Sequence, residues 1–216
     1  LEDVYKRQGY IIASSAISNQ AINDSLRKKN LPYIVLDQKK AEGFSDAVLT
    51  DDFTGGKLAG EHLSQLGHQK AAVVLPEDAT ENIQTRLAGF QEIYPDAILI
   101  RGDLTKNGGR QAAKEIIKTE ATAIFAINDE LAFGLYLGLA DLNKKIPQDY
   151  SVIGYDNIDM CEYVTPQLTT IAQPIYELGQ TTARLLLERI EQPEKHWEEK
   201  TLPVQLIQRF STAHLK

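Results

Sequence analysis

Short apolar runs alternate with longer amphipathic stretches along almost the whole chain. Seven runs predict strands: YIIAS (10–14), YIVLD (33–37), DAVLT (46–50), AAVVL (71–75), AILI (97–100), AIFAI (123–127) and SVIGY (151–155). Their continuous Val, Ile and Leu content is typical of strands that are covered on both faces. Alternation of such strands with helices indicates an α/β fold with a parallel sheet.

Helical periodicity fills the intervals between these runs. Two stripes with a spacing near 3.6 residues are Leu58, Ala59, His62, Leu63 and Leu66, and then Leu131, Leu135, Leu139 and Leu142. Each stripe is expected to face a sheet, with His62 packed in the core. Residues 23–24, Asn107 and Asn128 supply side chains of the kind that cap helix starts.

The pattern changes after residue 156. The segment 163–174 holds two prolines and three threonines among its residues, so it is predicted to be extended before a last helix that carries Leu178, Leu185 and Leu186. The alternating run LPVQLIQRF (202–210) predicts an edge strand.

The first eight residues, LEDVYKRQ, fit none of these elements. The first strand run then begins abruptly. We expect residues 1–8 to be a non-native leader and the first sheet to lack its opening strands.

Composition limits the classes of function. The chain has 216 residues, 43% of them hydrophobic and 25% charged, which suits an ordinary globular protein. Its net charge of -7 is unlike the basic surface that neutralises DNA phosphates. The single Cys161 cannot form an internal disulfide, and no apolar run has the length of a membrane span. With no secretory pattern at its start, the chain is expected to be cytoplasmic and not to bind a membrane.

Two strand runs end in a polar residue. AIFAI is followed by Asn128, and SVIGY by Asp156. Ligands of open α/β sheets bind beyond the carboxyl ends of the strands, so both residues are candidate ligand contacts.

Enzymatic and metal chemistry finds little support. The glycines of the segment 55–60 are followed by Glu61 and His62 rather than by the Lys-Ser/Thr of a phosphate loop, and we interpret them as a helix start. The four histidines lack the spacing of metal ligands, and no Gly-x-Ser-x-Gly motif is present. No cofactor, metal or catalytic residue is expected.

Considered together, several segments resemble the effector-binding core of the lactose/galactose-repressor family of bacterial transcription regulators. They are, in chain order, GYIIAS, DDFTGGKLAGEHLSQLGH, RLAGF, GDLTKNGG, INDELAFG, IPQDYSVIGYDNI, TPQLTTIAQP and LPVQLIQRFST. Each is weak alone, but their order across residues 9–212 makes the resemblance specific.

The resemblance implies two doubly wound parallel-sheet subdomains of periplasmic binding protein-like type, which close on a small molecule. The first would hold residues 9–67 and 174–192, and the second 68–173 and 201–212. Family members dimerise through this core and bind operator DNA with an N-terminal helix-turn-helix domain, which this sequence does not contain.

The resemblance also suggests which residues bind the effector. A sugar site needs carboxylates that accept hydroxyls, a guanidinium that donates in a fork, and amides that do both. Asp156, Arg86 and Asn128 match family positions of these types, and Gln173 could reach the site from a crossing segment. Asp51 resembles a carboxylate of ribose-type binding proteins, which share the fold of the family. Each has a structural alternative: a turn or helix cap for Asp156 and a helix cap for Asn128, a surface arginine for Arg86 and a solvated amide for Gln173. Next to Asp51, the alternative is a helix start capped by Asp52 or Thr54.

The close match of GDLTKNGG and of VIGYDNI through TTIAQP to ribose-operon repressors favours ribose or a related pentose. Leu104 replaces an aromatic residue that is frequent after the GD of this motif, which weakens a purine-binding interpretation because a flat base favours a stacking partner. Two alternatives stay open: the periplasmic sugar-binding protein of a transporter, and an α/β enzyme that uses Asp156 as a base.

Overall fold

The computed structural model describes residues 8–13, 24–26, 28–36 and 45–215. The expected leader, apart from Gln8, and the expected cap at Asn23 lie outside these residues. Within them the chain forms two compact units, residues 1–51 with 174–203 and residues 52–173 with 204–216. The chain therefore passes from one unit to the other three times.

The first unit contains a parallel sheet. Its strands within the described part are β1 (Tyr10–Ile12), β2 (Tyr33–Leu36), β3 (Asp46–Thr50) and β9 (Glu199–Leu202), in the order β1-β2-β3-β9. Helix α5 (Ile175–Glu191) packs on this sheet, and its buried Leu178 and Leu185 contact a small core around Ile34 and Val48.

The second unit is built on a larger sheet. Its strands in the described residues are β4 (Ala71–Leu75), β5 (Ile98–Arg101), β6 (Ala123–Ala126), β7 (Ser151–Asp156), β8 (Thr169–Ala172) and β10 (Gln205–Ile207), in the order β10-β8-β7-β6-β4-β5. All pairings are parallel except that of β10 with β8. The strand order reverses after β5, which is the arrangement of a doubly wound sheet.

In the described residues of the second unit there are also four α-helices and a short 3-10 helix (Asp159–Glu162). The α-helices are α1 (Asp52–Gln65), α2 (Glu81–Gln91), α3 (Lys106–Ile116) and α4 (Asp129–Asp141). Helix α1 packs on α2, and α3 packs on α4. Leu131, Leu135 and Leu139 of α4 are fully buried, as the predicted stripe requires. The expected α/β architecture with parallel sheets is confirmed.

Some boundaries differ from those expected. Residues 52–67 belong to the second unit, not the first, because α1 packs closely on α2: the backbone oxygen of Arg86 lies 1.8 Å from where a Cβ on Gly56 would be. Residues 193–203 belong to the first unit because β9 pairs with β3. The run 202–210 is thereby divided: Leu202 ends β9 at the edge of the first sheet, and β10 forms an edge of the second.

Two local predictions need correction. The segment 163–174 was predicted to be extended but was not counted among the strands. It includes β8, which lies inside the sheet between β7 and β10, and Thr170, Ile171 and Ala172 pair on both sides. The cap of α3 is Thr105, whose Oγ1 accepts from the amide of Gly108, whereas Asn107 lies inside the first turn.

His62 is buried as predicted. Its Nε2 lies 2.8 Å from Oγ1 of Thr212, so it joins α1 to the segment after β10. Burial lowers the pKa of His62, which favours the neutral ring that a core position requires.

Candidate functional site

Three neighbouring parallel strands of the second unit end in polar residues. Asn128 follows β6 after Ile127, Asp156 is the last residue of β7, and Gln173 follows β8. The pairing of β6 with β7 and of β7 with β8 places these ends at the same edge of the sheet. This edge is where the ligand of a doubly wound sheet is expected to bind.

Asp156 and Gln173 are in direct contact. The amide Nε2 of Gln173 donates to Oδ1 of Asp156 over 2.7 Å. Asp156 also lies 3.9 Å from Nη1 of Arg86, and its side chain keeps 28% of its surface exposed, which leaves carboxylate surface available to a ligand. The structure thus brings together three residues that the sequence analysis selected.

Arg86 enters this group from helix α2. Its side chain is 6% exposed; Nε donates to Oδ1 of Asp52 over 2.7 Å, and Nη1 donates to the carbonyl oxygen of Ile127 over 3.1 Å. The guanidinium carbon also lies 3.8 Å from the centre of the Tyr155 ring. The predicted alternative of a surface arginine is therefore wrong, since Arg86 is fixed in a buried network.

Asp52 and Tyr155 complete the network but were not selected from the sequence. Oδ1 of Asp52 accepts from both Arg86 and the hydroxyl of Tyr155, the latter over 2.9 Å. Asp52 was considered only as a possible helix cap, and Tyr155 only as the last residue of the predicted strand SVIGY. No local signal in the sequence marks either residue, because the contact of the Asp52 carboxylate with Arg86 depends on the packing of α1 on α2.

Asn128 acts as the cap of helix α4. Its Oδ1 accepts from the amide of Leu131 over 2.9 Å, which leaves its side-chain NH₂ group, a pair of donors, for another partner. The preceding residue Ile127 supplies the carbonyl that binds Arg86, so Asn128 is adjacent in the chain to the network. The capping alternative is confirmed, and it is compatible with a ligand contact.

Asp51 is assigned to a different unit from the other predicted residues. It follows β3 in the first unit, its amide donates to the carbonyl oxygen of Leu202 over 2.9 Å, and its side chain is partly exposed. The other four predicted residues belong to the second unit.

Burial and charge set the ionisation of the cluster. Burial raises the pKa of Asp156 to about 7; Arg86 and the hydrogen bond from Gln173 oppose this rise, while Asp129 and Asp52 add to it. Burial disfavours the charged form of Arg86, but Asp52, Tyr155 and Asp156 hold the pKa of its guanidinium above the ordinary value. The cluster thus combines a permanent cation with a carboxyl group that titrates near neutral pH.

We also looked for metal ligands, membrane-spanning helices and a reactive thiol. Among the residues that the structure describes, no group of three or more His, Cys, Asp or Glu side chains could hold a metal ion. No helix in the described ranges is long and apolar enough to cross a membrane. Cys161 is fully buried, and burial raises the pKa of its thiol. Leu104, which replaces the stacking aromatic, is 40% exposed.

The two α/β units and the polar strand ends define the class of a periplasmic binding protein-like domain, and the family model of that description matches residues 61–212. Among solved structures, a LacI family transcriptional regulator from Enterococcus faecalis V583 with bound ribose is 66% identical, with a TM-score of 0.94 over 98% of this chain and 80% of that one. A LacI family regulator from Enterococcus faecium with bound ribose is 59% identical, with a TM-score of 0.92 over 97% and 81%. The chain belongs to the LacI family of transcriptional regulators.

A further relative shows how much of a longer protein this chain covers. The HTH-type transcriptional repressor PurR of Erwinia tasmaniensis is 35% identical over 217 aligned positions, which cover 95% of this chain and 63% of that protein. The chain therefore spans less than two thirds of this relative. These relatives are regulators rather than enzymes or transporter components.

Proposed function

We propose that this chain is the sugar-sensing core of a transcriptional repressor and that its effector is ribose or a related pentose. The observation that carries the proposal is the convergence of Arg86, Asp156 and Gln173 at the carboxyl ends of the strands. A pentose presents hydroxyl groups that can donate to Asp156 and accept from Arg86 and Gln173. The two ribose-bound relatives support the choice of sugar.

Each proposed contact has a defined chemical role. Asp156 accepts hydroxyl protons, Arg86 donates to ring or hydroxyl oxygens, and the NH₂ groups of Asn128 and Gln173 donate while their oxygens accept. We include Asp51 as a second carboxylate on the basis of the family resemblance. The buried pair of Arg86 with Asp52 holds the guanidinium in place before the ligand arrives, which lowers the entropy lost on binding.

Calorimetric titration of the purified protein with D-ribose tests this function, with D-glucose as the comparison sugar. Asp156→Ala is expected to weaken ribose binding by about 2 to 5 kcal/mol, because the bound sugar loses an acceptor and Arg86 loses a neighbouring carboxylate. Gln173→Ala is expected to weaken it by about 1 kcal/mol, the value of one hydrogen bond.

Asp141→Asn serves as the matched control. Asp141 forms an exposed ion pair with Arg110, and both side chains are about half exposed, so its loss should leave affinity unchanged. Ribose binding of equal strength in the wild type and in Asp156→Ala would show that the assigned site is wrong. Absence of ribose binding in the folded wild type would reject the sugar.

We further infer that the protein acts in the cytoplasm as a homodimer and contacts operator DNA through a helix-turn-helix domain of the kind that the resemblance implies. The net charge of -7 supports a division in which the core binds the effector and another domain binds DNA. Regulation then requires that the sugar bind one conformation of the protein more tightly than another. Light scattering after size-exclusion chromatography tests the dimer, and a monomer at all concentrations would contradict it.

A further inference from the structure

The backbone at Asp156 is unusual. Asp156 has a φ of 115° and Asn157 a φ of 57°, both in the region that side chains other than glycine rarely adopt. Asn tolerates a φ near 57°, but a φ of 115° is strained for Asp and persists only where the surroundings hold it. A group next to this turn must therefore stabilise it.

Asp129 is that group by its contacts. It is fully buried at the start of helix α4, where it follows Asn128 in the chain. Its Oδ2 accepts from the amide of Ile158 over 3.0 Å and from Sγ of Cys161 over 3.1 Å. Both donors lie in the segment 158–161, which directly follows the turn at Asp156 and Asn157. Oδ2 of Asp129 is therefore bonded to the first and the last residue of this segment.

The other oxygen of the same carboxylate is bound to the sheet. Oδ1 of Asp129 accepts from Oγ1 of Thr170 over 2.7 Å. Thr170 pairs with Gly154 in the register of β7 and β8, and a Cβ on Gly154 would lie only 2.2 Å from Oδ1 of Asp129. A glycine is thus required two residues before Asp156 to let the carboxylate approach β7.

We propose that Asp129 is a positioning residue for the effector site: its carboxylate joins β7, β8 and the turn after β7, and so holds the carboxylate of Asp156 where it can meet a ligand. The role of Asp129 in sugar binding rests on the proposed function. Its effect on Asp156 rests on the geometry alone. Because Asn128 precedes Asp129 in the chain, the same residue links two predicted ligand contacts.

The titration midpoint of Asp156 provides a measurement that an uncharged residue with a purely structural role would not change. The charged groups that act on Asp156 are Arg86 from α2, Asp129 from α4 and Asp52 from α1. Tyr155 of β7 and Cys161, in the segment after β7, are titratable groups that also interact with it. Asp129 disfavours the ionised form of Asp156, so its neutralisation should move the titration midpoint of Asp156 below its value of about 7.

The experiment compares Asp129→Asn with the wild type in two measurements. Carbon-13 NMR of the labelled carboxyl groups, with Asp156→Asn used to assign the signal, gives the midpoint of Asp156. Calorimetry gives the ribose affinity. We expect an acidic shift of the midpoint and a loss of affinity of roughly tenfold, since the amide nitrogen of Asn faces buried donors and the turn loses its anchor.

Three milder variants keep the test valid if Asp129→Asn fails to fold. Cys161→Ser retains a donor to Asp129 and should bind ribose as the wild type does, whereas Cys161→Ala and Thr170→Val each remove one donor and should weaken binding by a smaller factor. Asp141→Asn, on the same helix but exposed, is the charge-matched control and should leave both measurements unchanged.

The outcomes separate the inference from the proposed function. A folded Asp129→Asn protein with an unchanged Asp156 midpoint and unchanged ribose affinity would overturn the inference; so would unchanged affinity in both Cys161→Ala and Thr170→Val if Asp129→Asn does not fold. A shifted midpoint in a protein whose wild type binds no ribose would leave the positioning role of Asp129 intact and reject the sugar proposal.

Discussion

At the scale of single residues, the site is defined by one carboxyl group that titrates near neutral pH beside one permanent cation. Asp156 is the exposed member of the pair and Arg86 the buried one, with 28% and 6% of their side-chain surfaces accessible. Arg86 is already paired with Asp52 at 2.7 Å, so Asp156 at 3.9 Å is only partly compensated and remains available to sugar hydroxyls.

This ionisation predicts a pH dependence of binding. Because burial raises the pKa of Asp156 to about 7, ribose affinity measured by calorimetry should rise by roughly tenfold between pH 5.5 and 8.5, as the carboxylate that accepts hydroxyl protons forms. In Asp156→Asn the affinity should be weaker and nearly independent of pH. An equal pH slope in that variant would mean that another group titrates.

The same group affects stability with the opposite sign. Folding raises the pKa of Asp156 from its ordinary value of 3.8 to about 7. The protonated carboxyl group therefore contributes to the free energy of unfolding, and this contribution is fully present below pH 3.8 and is lost as pH rises through about 7. In the ligand-free protein, the carboxylate that improves binding at high pH therefore opposes folding.

At the scale of elements, helices α1 and α2 meet through glycines. A Cβ on Gly56 would lie 1.8 Å from the backbone oxygen of Arg86, and one on Gly89 would lie 1.9 Å from that of Phe53. The two backbones are therefore in direct contact. This contact sets the distance between Asp52 at the start of α1 and Arg86 in the middle of α2.

Substitution at this contact should disturb both folding and the site. Gly56→Ala is expected to lower the free energy of unfolding by about 1 to 3 kcal/mol, because the helices must separate to admit a methyl group. Urea denaturation measures this change. Gly179→Ala in α5 is the control: no heavy atom lies within 4 Å of its new Cβ, so a gain of up to about 1 kcal/mol is expected. Equal effects of the two substitutions would contradict the packing argument.

At the scale of the whole molecule, each unit has its own sheet and its own buried ionic or polar network. In the first unit, Asp46 and Arg189 are each about 2% exposed, and Nε and Nη2 of Arg189 bind the two carboxylate oxygens of Asp46 over 2.9 and 3.0 Å. The same guanidinium donates to the backbone after α5, including the carbonyl of His196 over 3.0 Å. Arg189 thus ties β3 to the segment that leads into β9.

Disruption of this pair should act on one unit. Asp46→Asn is expected to lower the free energy of unfolding by about 3 to 5 kcal/mol, because it leaves the buried guanidinium of Arg189 without its counter-charge. Hydrogen exchange followed by mass spectrometry should show faster exchange in β2 and β3, with β4 and β6 unchanged. Arg184→Gln, which breaks an exposed pair on the same helix, is the control and should change neither. Equally faster exchange in both sheets would show that the units unfold together.

The outcome of individual predictions shows where sequence information was sufficient. Runs such as DAVLT and AAVVL became β3 and β4 without a change of boundary, since buried parallel strands have a strong local signature. The strand β8 was missed because a segment rich in proline and threonine lacks that signature, and its pairing with β7 and β10 is decided by distant residues. Arg86 and Asp156 were selected from motifs, but Asp52 was not, since nothing local indicates that its carboxylate is buried against Arg86.

The sequence by itself determined the α/β class, the order of the elements of the second unit from β4 through β7, and the polar residues at the strand ends, because periodicity and strand-end position are local properties of a chain. Only the tertiary structure decided that α1 belongs to the second unit, that Asp52 and Tyr155 complete the network around Arg86, and that Asp129 supports the turn at Asp156. These features depend on contacts between residues 29 to 103 positions apart, which a local pattern does not encode.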